Sequence, residues 1–438
     1  MVTKKTSINR AERKLIEELR NHPDMFERFQ EIMRVASEPS GDPLKTADQV
    51  EVMLIEEMRR LGKCTMENWA ENAETKVAQE LKEAHPKVQQ RKKKTLKWYC
   101  IFGLVEVRER IWRHSQASYI RALATRIGVT HRGRSARLDR VLVDFGCEHS
   151  FAQASKRVVE HYGFEISPSV LRRATLKHAE RAQRLLENQY DKSYRSLPTA
   201  GAEHVIAEVD GTMICTVKKG KRNKKRPREW REMRLTAAQA KGSIRSDYAA
   251  TFGSVDIVGR RWGHCVLNAG RGINSRIHCV GDGAQWIRLQ SKEVFGARGH
   301  FLCDFYHVSE YLADAAGACR PHAPKRWRKT QQARLRRSAI SLVLEELERH
   351  LEPENLTEED APVRKAHRYM NNRLSNLDYA EAKELDLPIG SGLIESGHRH
   401  VLQARLKKAG TAWLSENAEK MAQIRVIRAN NNWESFWN

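Results

Sequence analysis

Three carboxylates, Asp210, Asp282 and Glu395, could together do chemistry on a polyanion in this 438-residue chain. Phosphodiester cleavage and transfer need little covalent help from protein. They need charge offset on the attacking oxygen, the phosphate and the leaving oxygen. Two Mg2+ (or Mn2+) ions about 3.5–4 Å apart do this, held by carboxylate oxygens from separate elements. In such a site Asp210 bridges both ions, and Asp282 and Glu395 each close one side. Each residue also has an ordinary reading. Asp beside Gly is a common turn pair, and Glu in a first helical turn is favoured by the helix dipole. Order along the chain, element type and a basic setting together favour the metal site.

The elements that must position them are readable nearby. Asp210 ends the β-like run His204–Ile214 on an Asp-Gly pair. Asp282 lies in Arg-Ile-His-Cys-Val-Gly-Asp-Gly-Ala-Gln-Trp-Ile, residues 276–287, which predicts a strand over Ile277–Val280 and a helix from about Ala284. Its flanking glycines permit a sharp turn and a close approach. Leu387-Pro388-Ile389-Gly390-Ser391-Gly392 opens the helix that carries Glu395, and this helix continues through His398, Arg399, Arg405 and Lys407. Glu232–Ala240 suits a returning strand. Helical patterns cover Val308–Arg349 and Val363–Asn376 around an acidic turn, Glu352–Asp360, and the tail after Trp413 is helical.

Lys and Arg number 78 against 55 Asp and Glu, a net +23. Such an excess points to a polyanion, nucleic acid before an acidic membrane surface. Residues 218–234 hold ten Lys or Arg against Glu229 and Glu232. Within them Lys218, Lys219, Lys221, Arg222, Lys224, Lys225 and Arg226 are candidate phosphate contacts beside the Asp210 strand. The eight cysteines include no Cys-x-x-Cys pair, so neither a zinc ribbon nor a redox motif is present. Scattered thiols suit a reducing cytoplasm. The charged N-terminus lacks an apolar signal core, and no run is long enough to span a bilayer. A cytoplasmic, nucleoid-associated protein without a membrane partner is expected.

Length predicts two or three domains. Residues 1–90 read as a helical domain, with Arg91–Lys94 as its boundary. Residues 91–200 combine a hairpin over Trp98–Trp112, turning near Gly103, with a helix-turn-helix-like unit. There Gly163 suits a helix stop, Ser167 an N-cap and Pro168 a first helical position. The second helix could lay Arg172 and Arg173 in a major groove. Ordinary helix packing is the other reading. A linker ends near Pro198–Gly201.

Val209-Asp210-Gly211-Thr212, Gly281–Ile287, Asp304-Phe305-Tyr306-His307 and Leu387–Ser396, taken in that order, resemble the DDE transposases of bacterial insertion sequences, most closely the ISKra type. Arg405-Leu406-Lys407, Gly410 and Trp413 resemble the segment that follows the last carboxylate in that group. The resemblance implies an α/β fold with an RNase H-like mixed-sheet catalytic core, 201–307 and 386–438. A helical insertion, 308–385, would interrupt it, and mainly helical DNA-binding domains would precede it. It also implies Mg2+-dependent cutting at element ends and joining of the 3′-hydroxyl to target DNA. The partner is then double-stranded DNA, bound by a homodimer or higher oligomer. Asp304 and His307 resemble a supporting motif near the site, or else a structural pair steadying the insertion. Arg405 and Lys407 are candidate DNA contacts, and Trp413 could stack on a displaced base, although Trp in an apolar helix is more often core. Related proteins often carry zinc-binding cysteines after the hairpin, whereas His114–Ser118 supplies none. No zinc is expected. Two further readings share these features: a catalytically silent DNA-binding protein, and a structure-specific nuclease of the same core fold.

Overall fold

Capping residues punctuate the helices of the N-terminal region. Asn9 and Glu12 form a reciprocal capping box at α1 (Arg10–Arg20), Pro23 starts α2 (Pro23–Ala36), and Thr46 with Gln49 caps α3 (Ala47–Ala84). These helices belong to the first of two compact units, Met1–Thr175 and Leu176–Asn438, in a computed structural model that describes residues 9–37, 45–113, 119–192, 197–220 and 227–438. His114–Ser118, Lys221, Arg222, Lys224, Lys225 and Arg226 lie outside the described residues.

The predicted hairpin is present. β1 (Gln89–Cys100) pairs antiparallel with β2 (Gly103–Arg113), and β3 (Tyr119–Ile120) and β4 (Gly133–Arg134) flank them in the order β3-β2-β1-β4. Arg91–Lys94, expected to mark a boundary, is part of β1. Leu96, Trp98 and Cys100 alternate inward, and the same pairing extends back over exposed basic residues, with Lys94 opposite Glu109. Ala70 of α3 and Leu123 of α4 (Ala122–Arg126) complete the core beneath the hairpin.

The helix-turn-helix-like segment folds as α5 (Ala136–Glu148), α6 (Phe151–Tyr162) and α7 (Pro168–Lys192) around Leu138, Leu142, Val158, Ile166 and Leu171. Gly163 stops α6 at φ +67°, and Ser167 Oγ accepts from Val170 N at 3.4 Å. The division between the two units falls within α7.

The second unit is built on a mixed sheet of β5 (His204–Val217), β6 (Arg228–Ala240), β7 (Ser246–Thr251), β8 (Arg276–Gly281) and β9 (Gly299–Cys303), in the order β7-β6-β5-β8-β9. β5–β6 and β6–β7 are antiparallel, whereas β5–β8 and β8–β9 are parallel. Helices α8 (Val255–Asn268) and α9 (Gln285–Phe295) make the crossovers that parallel strands require. Ile277, Cys279 and Val280 on β8 are fully buried, as a strand covered on both faces demands.

A helical block follows: α10 (Phe305–Cys319), α11 (Pro324–Leu335), α12 (Ile340–Glu348), α13 (Pro362–Asn371) and α14 (Tyr379–Glu384). Its core runs from Phe305, Val308 and Leu312 through Leu335 and Leu347 to Met370. The continuous helical stretch expected over 308–349 is broken twice, where Pro324 begins a new helix and where Ser338 takes φ +54°. The chain returns through α15 (Gly392–Gly397), a π-helical segment His398–Gln403 and α16 (Ala404–Leu406). β10 (Trp413–Leu414) then pairs with the end of β5, and α17 (Ser415–Ala429) and α18 (Trp433–Trp437) close the fold. Among the described residues, no helix is long and apolar enough to cross a membrane.

Candidate functional site

β5 and β8 pair in parallel with a constant offset, from His204 opposite Arg276 to Glu208 opposite Val280. Carried two positions further, that offset sets Asp210 level with Asp282. β5 does not stop at Asp210-Gly211 as the sequence suggests. Its other edge keeps pairing with β6, Asp210 opposite Leu235 and Val217 opposite Arg228, so the strand continues. Asp210 therefore sits mid-strand and half-buried, beside the point where β8 has ended.

Asp282 stands just past the end of β8 and is exposed, as its Gly-Asp-Gly corner predicts. Its Oδ1 accepts from Ala284 N at 2.9 Å, a local turn contact. Gly283 has φ +79°, and a Cβ there would lie 2.5 Å from Tyr369 Oη. Only glycine meets both demands. Tyr369 Oη donates to Asp282 O at 2.6 Å, and Arg373 Nε donates to Gly283 O at 2.9 Å. The helical block thus fixes the backbone of the corner and leaves the carboxylate outward.

Asp304 ties the third element to the other two. Its Oδ1 accepts from Tyr306 N at 2.6 Å and His307 N at 3.1 Å, which caps α10. Its Oδ2 accepts from Ser391 N at 2.7 Å and from Ser391 Oγ, and its own N–H donates to Gly281 O at 2.7 Å. One buried carboxylate therefore joins the end of β8, the start of α10 and the loop that launches the Glu395 helix. With both oxygens occupied, Asp304 acts as a structural clamp. His307 does not pair with it through the ring. Its Nδ1 lies 3.4 Å from Glu310, and the ring packs on Tyr311 and Tyr369.

The helical stretch from Gly392 to Leu406 lies along one stripe of β5. On that stripe Glu208 Oε2 accepts from Ile394 N at 2.7 Å, Asp210 Oδ2 faces His398 Nε2 at 3.3 Å, and Thr212 Oγ1 meets Lys407 Nζ at 3.1 Å. The approach is close: a Cβ on Gly397 would lie 2.7 Å from the Tyr248 ring and 3.0 Å from Leu235, the residue opposite Asp210. Glu395, exposed and, among the described residues, held by no side-chain hydrogen bond, projects from the first turn of this stretch.

Two residues assigned no role from sequence emerge here. Glu208 is buried, and burial pushes its carboxyl up to about 8; Asp304 and Glu395 add to the rise while Ile394 N–H opposes it. His398 is 4% exposed, yet among the described residues neither ring nitrogen has a hydrogen-bond partner. The signal for Glu208 was its i−2 position from Asp210 on a strand, which puts both on one face. For His398 it was the i+3 position from Glu395 on a helix. Among the described residues, no three His, Cys, Asp or Glu side chains are gathered closely enough to hold an ion as they stand.

Of the basic and aromatic candidates, Lys407, Lys218 and Lys219 are exposed, and Lys219 Nζ lies 2.9 Å from Glu416. Arg172 and Arg173, in the first unit, are exposed beside buried Leu171 and Ala174. Arg405 and Trp413 are corrected: both are buried. The Arg405 guanidinium lies 4.8 Å from the Trp413 ring centroid, and Trp413 Nε1 donates to Leu406 O at 3.2 Å. Packing against each other beside β10, they are core residues and present no surface to DNA.

Among curated proteins no significant match to the chain is found. The signature of the uncharacterised protein family UPF0236 matches residues 46–434, which takes in every element described for the site. The chain belongs to that family.

Proposed function

We propose that the protein is a DDE transposase that binds the ends of an insertion sequence, cleaves phosphodiester bonds there and transfers the 3′-hydroxyl ends to target DNA. One observation carries the reading most of the way. The parallel register of β5 and β8, observed as far as Glu208 opposite Val280, sets Asp210 level with Asp282 when carried two positions further, and Asp304 anchors the loop before the Glu395 helix, which lies over the same stripe of β5. A mixed sheet interrupted by a helical block between its last parallel strand and Glu395 supports the RNase H-like core that the resemblance implies.

The donor set fits Mg2+ or Mn2+. Asp210 and Glu395 carry no hydrogen bond among the described residues, Asp282 keeps one oxygen outside its turn contact, and all three offer the oxygen ligands such ions prefer. Bound there, two such ions would polarise the attacking hydroxyl and offset charge on the leaving oxygen. The chain's own residues do the rest. Asp210, Asp282 and Glu395 would hold the ions, with Asp210 the carboxylate common to both. Lys407 sets a positive charge two residues along the stripe, and Lys218 and Lys219 set two more at the end of β5 to hold the DNA backbone.

Asp282→Asn tests the reading, with DNA bearing the element's ends as substrate. Binding should stay within about twofold while Mg2+-dependent cleavage falls by at least about a thousandfold, the scale of a lost catalytic charge. Unchanged cleavage by the variant contradicts the assignment. A wild-type protein that binds ends yet cuts nothing in Mg2+ or Mn2+ is instead a silent DNA-binding protein. One that cuts branched or hybrid substrates without joining strands is a nuclease.

A further inference from the structure

We propose that His398 is itself a ligand of the ion held by Asp210, through Nε2, so that the site contains one imidazole nitrogen among its carboxylate oxygens. This rests on the metal-site reading above. Buried polar atoms nearly always have hydrogen-bond partners, yet among the described residues both His398 ring nitrogens have none and the residue is only 4% exposed. Its Nε2 lies 3.3 Å from Asp210 Oδ2 without the alignment of a hydrogen bond. Two donors on one ion adopt such a separation, because metal–ligand distances of about 2.0–2.2 Å at roughly right angles put neighbouring donors about 3 Å apart.

The helix that carries the ring lies close on the sheet. A Cβ on Gly397 would lie 2.7 Å from the Tyr248 ring and 3.0 Å from Leu235. The π-helical segment begins at His398, and such segments concentrate at functional sites because they re-aim side chains. Arg425 from α17 stabilises it, donating from Nε to Val401 O at 2.5 Å and from a terminal nitrogen to His400 O. Imidazole prefers Mn2+ and later transition ions to Mg2+, whose sites are built from oxygen. The site should therefore bind Mn2+ the more tightly of the two.

Electron spin-echo envelope modulation of Mn2+ bound to the full-length protein tests this, with Mn2+ binding measured by the loss of free-ion signal. Wild type should show nitrogen modulation from a directly bound imidazole. His398→Ala should lose that modulation and bind Mn2+ at least about tenfold more weakly, the loss that even an outer-shell partner can produce, while Mg2+ affinity changes less. His398→Gln, closer in bulk, serves if the alanine variant does not fold. Mn2+ that binds wild type without nitrogen modulation, or modulation that survives in either variant, overturns the proposal and leaves the carboxylate site standing. If wild type and Asp210→Asn both fail to bind Mn2+, the metal-site reading itself fails, and this inference with it.

Discussion

Glu208 carries an ionisation that the fold resists. It is buried two residues before Asp210, and burial, helped by Asp304 and Glu395, raises its carboxyl to about 8 from an ordinary 4.5. A carboxyl raised in the folded state contributes stability that is complete below the unfolded value and is lost as pH rises through the folded one. This contribution should therefore drain away between about pH 4.5 and pH 8. In Glu208→Gln the side-chain oxygen still accepts from Ile394 N, but nothing ionises. Thermal melts without divalent ions should show the variant gaining on wild type as pH rises, with the gap levelling off above pH 8. Melting curves that run parallel across that range would contradict the assignment. The same residue illustrates what a one-dimensional pattern conceals. Glu208 is one acidic residue in an otherwise apolar run, and its importance comes from Ile394, which is 186 residues away and donates into it.

At the scale of elements, the Gly-Asp-Gly corner was legible because turning sharply off a strand end is a local requirement, and glycine meets it at Gly283. The stop at Gly163 and the cap at Ser167, the hairpin over Trp98–Trp112 and the helical block before Glu395 were legible for the same reason. The end of β5 was not. Whether a strand continues past Asp210 depends on the partner it keeps on β6, and no residue within β5 records that. Arg405 and Trp413 failed differently. A guanidinium and an indole that face each other form a packed pair, and the sequence, which left Trp413 open between core and base stacking, does not show that Arg405 is its partner. The Asp304 clamp is the element-scale device that most needs testing. Asp304→Ala removes the cap of α10 and leaves Ser391 N–H without its acceptor, at a cost of about 2–4 kcal/mol. The variant should melt lower. Proteolysis should also nick it first near residues 388–392, where the Glu395 helix is no longer anchored. A melting point unchanged within about 1 °C would show that the clamp is dispensable.

Over the whole molecule, a net charge of +23 is balanced only by a polyanion or by salt, and the exposed Lys218, Lys219 and Lys407 set part of that charge along the stripe that carries Asp210. The account depends on three acidic side chains, distant in the chain, sharing ions beside that polyanion. The β5–β8 register, carried two positions past Glu208 and Val280, sets Asp210 level with Asp282, and Asp304 anchors Ser391 at the start of the Glu395 helix. Anomalous diffraction at the manganese edge, from crystals of the protein with end-bearing DNA and Mn2+, tests the convergence most directly. The account predicts two peaks about 3.5–4 Å apart, both touching Asp210, one also touching Asp282 and the other Glu395. Manganese bound elsewhere, or carboxylates of 210, 282 and 395 that stay beyond reach of a common ion pair with DNA in place, would contradict it.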